Sequence, residues 1–199
     1  MAPGGAGLIL RTPEGRPYRF DAGALCLELL TTGGPGPYAR HEVLCEPAAL
    51  TEWVRRSRLA PGLDAGLSVS DAEVRDARTV RDALLRLALA RAHDGRLPAP
   101  DLAVVNAAAA EPPLVARIGP GGVHAWAPGA TGTRLLSTVA RDAVELFTGP
   151  YAHRVRECGS DDCFLLFVDT SRPGRRRWCA MERCGNRQKA RTHRTRRTS

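Results

Sequence analysis

The chain has 199 residues, 43% of them hydrophobic, with 29 Lys and Arg against 21 Asp and Glu. That length suits one medium domain with a small appendage, and the apolar content is ample for a core. No apolar run approaches the ~20 residues of a membrane helix, and Met1-Ala2-Pro3-Gly4-Gly5 lacks the basic and apolar stretches of a signal peptide, so a soluble, cytoplasmic protein is expected.

Residues 8–20 read as extended, with turn chemistry at Thr12-Pro13-Glu14-Gly15. Asp21 is placed to cap a helix whose apolar face carries Leu25, Cys26, Leu29 and Leu30, and the run Gly33-Gly34-Pro35-Gly36-Pro37 breaks it. Pro47 suits the first turn of a second helix bearing Leu50, Trp53 and Val54, closed by Pro61-Gly62. Ser70-Asp71-Ala72-Glu73 is a capping box before the longest helix, where Ala77, Val80, Leu84, Leu87 and Ala88 fall on one face and Gly95 ends the run. A short helix is predicted over 101–110, then a hairpin of 114–118 with 123–126 around Gly119-Pro120-Gly121-Gly122. A last amphipathic helix spans about 134–147, with Leu136, Val139, Ala140, Ala143 and Phe147 inward, and Gly149-Pro150 turns into the remainder.

That remainder holds the most specific pattern, Cys158-x4-Cys163-x15-Cys179-x4-Cys184. Two close thiolate pairs joined by a hairpin satisfy a tetrahedral zinc ion, and four protein ligands leave no position for water or substrate. One structural Zn2+ is therefore expected. The other cysteines, Cys26 and Cys45, are expected as reduced, packed thiols. Phe164 to Val168 reads as a strand, Ser171 to Gly174 as a turn, Trp178 and Cys179 as the returning strand, and a helix begins near Ala180. The predicted fold is α+β: a mainly helical N-terminal domain with a β hairpin over 1–150, then a small treble-clef-like zinc finger over 151–199.

Charge divides at the same place. Residues 151–199 carry 13 basic and 5 acidic groups, while residues 1–150 carry 16 of each. A Zn2+ with four thiolates subtracts two, leaving about +6 on a very small module, the footprint of a phosphate-binding surface. The candidate nucleic-acid contacts are Arg175, Arg176, Arg177, Arg183, Asn186, Arg187, Lys189, Arg191 and Arg194. A regular helix from Ala180 places Arg183, Arg187, Arg191 and Arg194 on one flank. Asn186 suits either adenine readout or a hydrogen bond to a thiolate, and Trp178 suits a lid over the metal. His93 is placed to meet the carbonyls at a helix end, and His153 lies on the surface.

The runs Arg156-Glu157-Cys158, Phe167-Val168-Asp169-Thr170-Ser171-Arg172, Arg176-Arg177-Trp178-Cys179-Ala180-Met181 and Cys184-Gly185-Asn186-Arg187 resemble the CGNR zinc finger. Residues 20–28, with Pro47-Ala48-Ala49-Leu50 and Arg81-Asp82-Ala83-Leu84, resemble the ABATE domain found upstream of that finger. Glu28-Leu29-Leu30-Thr31-Thr32 departs from relatives that read closer to Asp-Phe-Val-Asn-Thr. The resemblance implies a stress-induced transcriptional regulator that binds DNA.

No Gly-rich phosphate loop, nucleophile elbow or open metal triad is present, so no enzymatic activity is expected. Two functions fit. The first is a transcription regulator whose finger contacts double-stranded DNA while the N-terminal domain senses a small molecule or mediates assembly with a protein partner or a second copy. The alternative is a protein-interaction or RNA-associated zinc-finger adaptor.

Overall fold

The computed structural model describes residues 7–60, 62–63 and 66–190. The predicted helix-closing Pro61 and the basic residues Arg191 and Arg194 lie outside the described residues.

The chain opens with strands β1 (Leu8–Arg11) and β2 (Pro17–Phe20), an antiparallel ribbon closed by the predicted turn, in which the Gly15 N–H donates to Thr12 O. Helix α1 (Leu25–Leu29) follows, and all five of its residues are buried. A helix buried all round needs no polar face, yet this one carries Glu28, fully enclosed. Arg58 satisfies that carboxylate with two hydrogen bonds, from its backbone N–H at 3.0 Å and Nε at 2.8 Å, and adds an ion-pair contact from Nη2 at 2.8 Å.

The cap expected from Asp21 is not made. Asp21 Oδ1 instead accepts from the Gly23 N–H at 2.9 Å in a local turn. Gly23 has φ +79°, and a Cβ there would lie 2.9 Å from Val168 Cβ, so the close approach of a distant strand dictates the local geometry. The free N–H of Cys26 in the first turn of α1 is taken by Asp142 Oδ2 at 2.8 Å, from 116 residues away.

Helix α2 (Pro47–Arg56) begins on its proline as predicted and buries Leu50, Trp53 and Val54. Two-residue strand β3 (Leu67–Ser68) leads into α3 (Asp71–Ala92), whose capping box at Ser70 and Glu73 forms in full. Its buried face contains every apolar residue predicted and, in addition, Arg81. Arg81 is 1% exposed and reaches across to Glu42 with a two-pronged contact of 2.8 and 2.7 Å, while also pairing with Asp82. The helix stops at Ala92, Asp94 takes the left-handed conformation (φ 54°), and the Gly95 N–H donates to Ala90 O.

Helix α4 (Ala99–Ala110) is tied to α3 by a forked Arg86–Asp101 pair. Strands β4 (Ala116–Ile118) and β5 (His124–Trp126) make the predicted hairpin, anchored where Trp126 Nε1 donates to Leu59 O. Strand β6 (Ala130–Thr131) pairs in parallel with β3 and launches α5 (Gly132–Thr148). This pairing sets the starts of α3 and α5 side by side. Glu73 consequently serves both: it accepts from the Ser70 N–H in the capping box and from the Thr133 N–H and Oγ1 at 2.8 and 2.9 Å.

Strands β7 (Val155–Glu157) and β8 (Leu166–Val168) form the finger's hairpin. The predicted pairing of Phe164–Val168 with Trp178 and Cys179 is not made, because β7 occupies that edge and the chain from 169 to 180 contains no strand. The finger is built into the body of the molecule. Val155, Leu166, Phe167 and Val168 belong to the same buried cluster as Phe20, Ala22 and Leu84, and the Val168 N–H donates to Ala22 O at 2.9 Å. The His93 backbone N–H closes the α3 terminus on Leu89 O at 3.1 Å, while its side chain turns away, with Nε2 2.8 Å from Glu157 Oε2 on β7. Cys26 is buried as expected, but Cys45 is exposed. None of the described helices is long and apolar enough to cross a membrane.

Candidate metal centre and its basic rim

The hairpin carries the first cysteine pair. Cys158 follows β7 and its N–H donates to Leu165 O across the loop, while the Cys163 N–H donates back to Ser160 O, closing a tight turn. Of the second pair, Cys179 lies just before a widened helical turn and Cys184 lies on it. Met181–Gly185 forms one π-helical turn, with the N–H groups of Cys184 and Gly185 both directed at Ala180 O, and residues 186–190 continue as ordinary helix. Gly185 lets Met181 lie close over the turn, where a Cβ would fall 2.7 Å from Met181 Sδ.

All four thiols are buried, and their Sγ atoms lie within 4.8 Å of one another, with Cys163–Cys179 and Cys179–Cys184 each at 3.6 Å. A tetrahedron with metal–sulfur arms near 2.3 Å has edges of about 3.8 Å. Donor chemistry, spacing and closure therefore fit one structural zinc ion. Packed this closely, the thiols cannot ionise independently: hydrogen bonds from Cys163 and then Cys179 and Cys184 pull Cys158 far down, while the Cys158 contact pushes Cys179 far up. A divalent cation removes that conflict by stabilising all four thiolates at once.

The surrounding donors are aimed at the same charge. The Cys179 N–H lies 3.4 Å from Cys158 Sγ, Arg183 Nη1 lies 3.9 Å from Cys163 Sγ, and Arg187 Nη2 lies 4.0 Å from Cys184 Sγ. Arg183 also donates to Tyr18 Oη at 2.6 Å with its guanidinium over the ring, and Arg187 pairs with Asp162 and with Ser160 Oγ. Arg187 thus clips the second cysteine turn to the first. Such groups fix ligand geometry and offset the surplus negative charge of four thiolates.

These contacts sort the basic residues singled out above. Arg183 and Arg187 do not share a free flank, because the π-helical turn breaks the regular wheel and both guanidinium groups turn inward. Arg176 is committed as well: it lies 4.1 Å from the centre of the Phe167 ring and donates to the carbonyls of Asp21, Trp178 and Cys179. Burial lowers its pKa, although Asp21 and the thiolates oppose the shift. Arg175, Arg177, Asn186 and Lys189 are exposed. Arg175 and Arg177 flank a shallow groove that also includes Trp178 and Met181, and the Arg177 guanidinium sits 5.2 Å from the centre of the Trp178 ring system. Trp178 is half-buried against Gly159 and Gly185, beside two of the metal loops. The acid preceding Cys163 was the sequence signal for the inward turn of Arg187, since Asp162 is its ion-pair partner.

Comparison with known families agrees with this geometry. Residues 23–150 match ABATE, described as a putative stress-induced transcription regulator, and residues 154–197 match the CGNR zinc finger. The chain belongs to the ABATE family and carries a CGNR zinc finger after that domain. Among curated proteins none matches it.

Proposed function

We propose that the protein is a non-enzymatic, DNA-binding transcription regulator, in which the zinc-fixed loop from Arg172 to Trp178 and the following helix contact duplex DNA. The observation that carries this reading is the sorting of the arginines. Arg176, Arg183 and Arg187 are consumed by contacts within the molecule, to Asp21 O, Tyr18 Oη and Asp162 respectively, whereas Arg172, Arg175, Arg177 and Lys189 stand exposed around a metal-stiffened loop. Phosphate contacts made from a rigid loop lose little ordering entropy on binding. The N-terminal domain is assigned the sensing or assembly role, and Asn186, exposed on the helix after Cys184, is the candidate base-reading residue.

The test uses full-length zinc-loaded protein and fluorescence anisotropy with labelled duplexes. Arg175→Ala and Arg177→Ala should each weaken binding to all sequences and reduce the salt slope by roughly one unit without releasing zinc. Selection from a random duplex pool should return a preferred sequence, which Asn186→Ala flattens. Retention of wild-type affinity and slope by both arginine variants, or a preference for RNA over duplex DNA, would move the assignment to the adaptor class.

A further inference from the structure

A cleft of about 410 Å3 opens where the β1–β2 ribbon, the segment after α1 and the first cysteine loop of the finger meet. That volume lies in the range of small-molecule sites. Leu10, Leu30 and Phe164 supply apolar wall, and Tyr18, His41 and Arg183 supply polar groups. The polar groups are mainly donors. The Tyr18 hydroxyl already accepts from Arg183, which leaves its own proton to give. The Nε of Arg183 is buried and finds no acceptor among the described residues.

The cations at the cleft, Arg11 and Arg183 in its lining and Arg40 beside it, face the thiolate charge behind Cys163 and outnumber it. Asp162, the one acid among the lining residues described, is already paired with Arg187. Arg40 holds its guanidinium 4.9 Å from the centre of the Phe164 ring at the edge of the cleft. Burial first, and then the charges of Arg40 and Arg183, hold His41 below its ordinary pKa, so its ring is neutral at pH 7 and available as a hydrogen-bonding partner.

We propose that this cleft binds a small monocarboxylate with an apolar or aromatic body, the carboxylate meeting Arg183 and Tyr18 and the body lying along Leu10, Leu30 and Phe164. Arg183 immediately precedes the metal ligand Cys184 and reaches toward Cys163 Sγ. A ligand held there touches both the ABATE domain and the finger, and its occupancy is coupled by linkage to whatever the finger binds. The proposal rests on the regulator reading for that consequence only, since binding in the cleft is measured without DNA.

The experiment is isothermal titration of zinc-loaded, full-length protein with benzoate and 4-phenylbutyrate, with 4-phenylbutyramide as the uncharged control. The expected result is saturable one-to-one binding of 4-phenylbutyrate and at least roughly tenfold weaker binding of the amide. Thr31→Trp, which places bulk in the cleft, should abolish the heat while zinc content and melting temperature stay at wild-type values. Tyr18→Phe should weaken the carboxylate more than the amide. No saturation by either carboxylate up to about 10 mM, equal binding of acid and amide, or unchanged binding in Thr31→Trp would overturn the proposal. A protein that binds 4-phenylbutyrate but no duplex keeps the cleft and loses the DNA reading; one that binds duplex but no carboxylate does the reverse.

Discussion

Two charged residues show how little of a helix wheel survives contact with tertiary structure. Arg81 sits on the apolar face of α3, fully enclosed, because Glu42 arrives from the loop ahead of α2 to meet it. Removing one partner of an enclosed pair leaves the other without compensation, so Arg81→Ala should destabilise by about 3–5 kcal/mol in urea denaturation at pH 7. The sign of the pH dependence follows from the same pair. Burial raises the Glu42 pKa, but the hydrogen bonds from Arg81 and the Leu44 N–H outweigh it and hold the carboxylate below its ordinary value. A lowered folded-state pKa gives stability that is complete above the unfolded value, near 4.3, and lost as pH falls through the folded one. Wild type should therefore lose stability as pH falls below about 4.3, and Arg81→Ala should lose less on the same descent.

Arg187 makes the corresponding point in the finger. Its partners are Asp162, Ser160 and the Cys184 thiolate, so its first duty is to the metal. Arg187→Ala should lower zinc affinity by roughly 10–100-fold in competition with a chromophoric chelator, the usual effect of losing a group that orients metal ligands. Arg187→Lys should restore part of it, since all three contacts converge on one nitrogen, Nη2, and an ammonium also offers three donors from one nitrogen, though on a shorter reach. Unchanged zinc affinity in Arg187→Ala would return that side chain to the set of phosphate contacts.

At the scale of elements, the helices with local signals were legible and those with distant ones were not. The capping box at Ser70, the proline start of α2, the glycine-rich hairpin and the apolar face of α5 are written in adjacent residues, and each forms where the pattern places it. The start of α1 was misread because its first-turn N–H is satisfied by Asp142 on α5, a partner no local window contains. The finger hairpin was misassigned for a similar reason, as β7 has only three residues and a mixed face that alternation does not single out. For the metal centre, the four ligands were fully legible from spacing, while the allotment of arginines between inside and outside was not. A π-helical turn and an ion pair to a loop 25 residues earlier decide it.

Glu73 carries the element-scale prediction. A single carboxylate accepts N–H groups at the start of α3 and of α5, and Gly132 leaves room for it, since a Cβ there would lie 2.7 Å from Glu73 Cβ. Losing it leaves two helix starts short of an acceptor, so Glu73→Ala should cost about 1–2 kcal/mol, more than one cap alone commonly contributes. Glu73→Gln, which retains an acceptor oxygen but no charge, should recover about half. Equal stability of Glu73→Ala and wild type in thermal denaturation would show that water replaces both contacts without loss.

At the scale of the whole molecule, the finger shares its core with the ABATE domain. Phe167 and Val168 are enclosed with Phe20 and Ala22, and the finger strand hydrogen-bonds to the chain just before α1. Zinc stabilises whatever the bound state holds together, so chelation should reach beyond the last quarter of the chain. Zinc-loaded protein should melt in one transition, and excess chelator should lower the midpoint of the α-helical signal, whose residues lie mostly outside the finger. An unchanged helical transition after metal removal would mean that the shared core tolerates loss of the finger.

The bond from Asp142 to Cys26 and the bond from Val168 to Ala22 also set a clock. Both complete the surroundings of α1, the first helix among the described residues, and both come from the latter third of the chain. A ribosome releases the chain from the N-terminus at about 5–20 residues per second, so α1 waits several seconds for its partners and keeps four apolar side chains open meanwhile. Long-range closure of this kind slows folding and exposes nascent chains to aggregation or chaperone capture. The last partner arrives with the cysteine loops, which makes metal uptake coincident with the final folding step. Cells short of zinc during synthesis should accumulate this chain as an incompletely folded, protease-sensitive species, and the amount of working protein should track metal supply at the moment of translation.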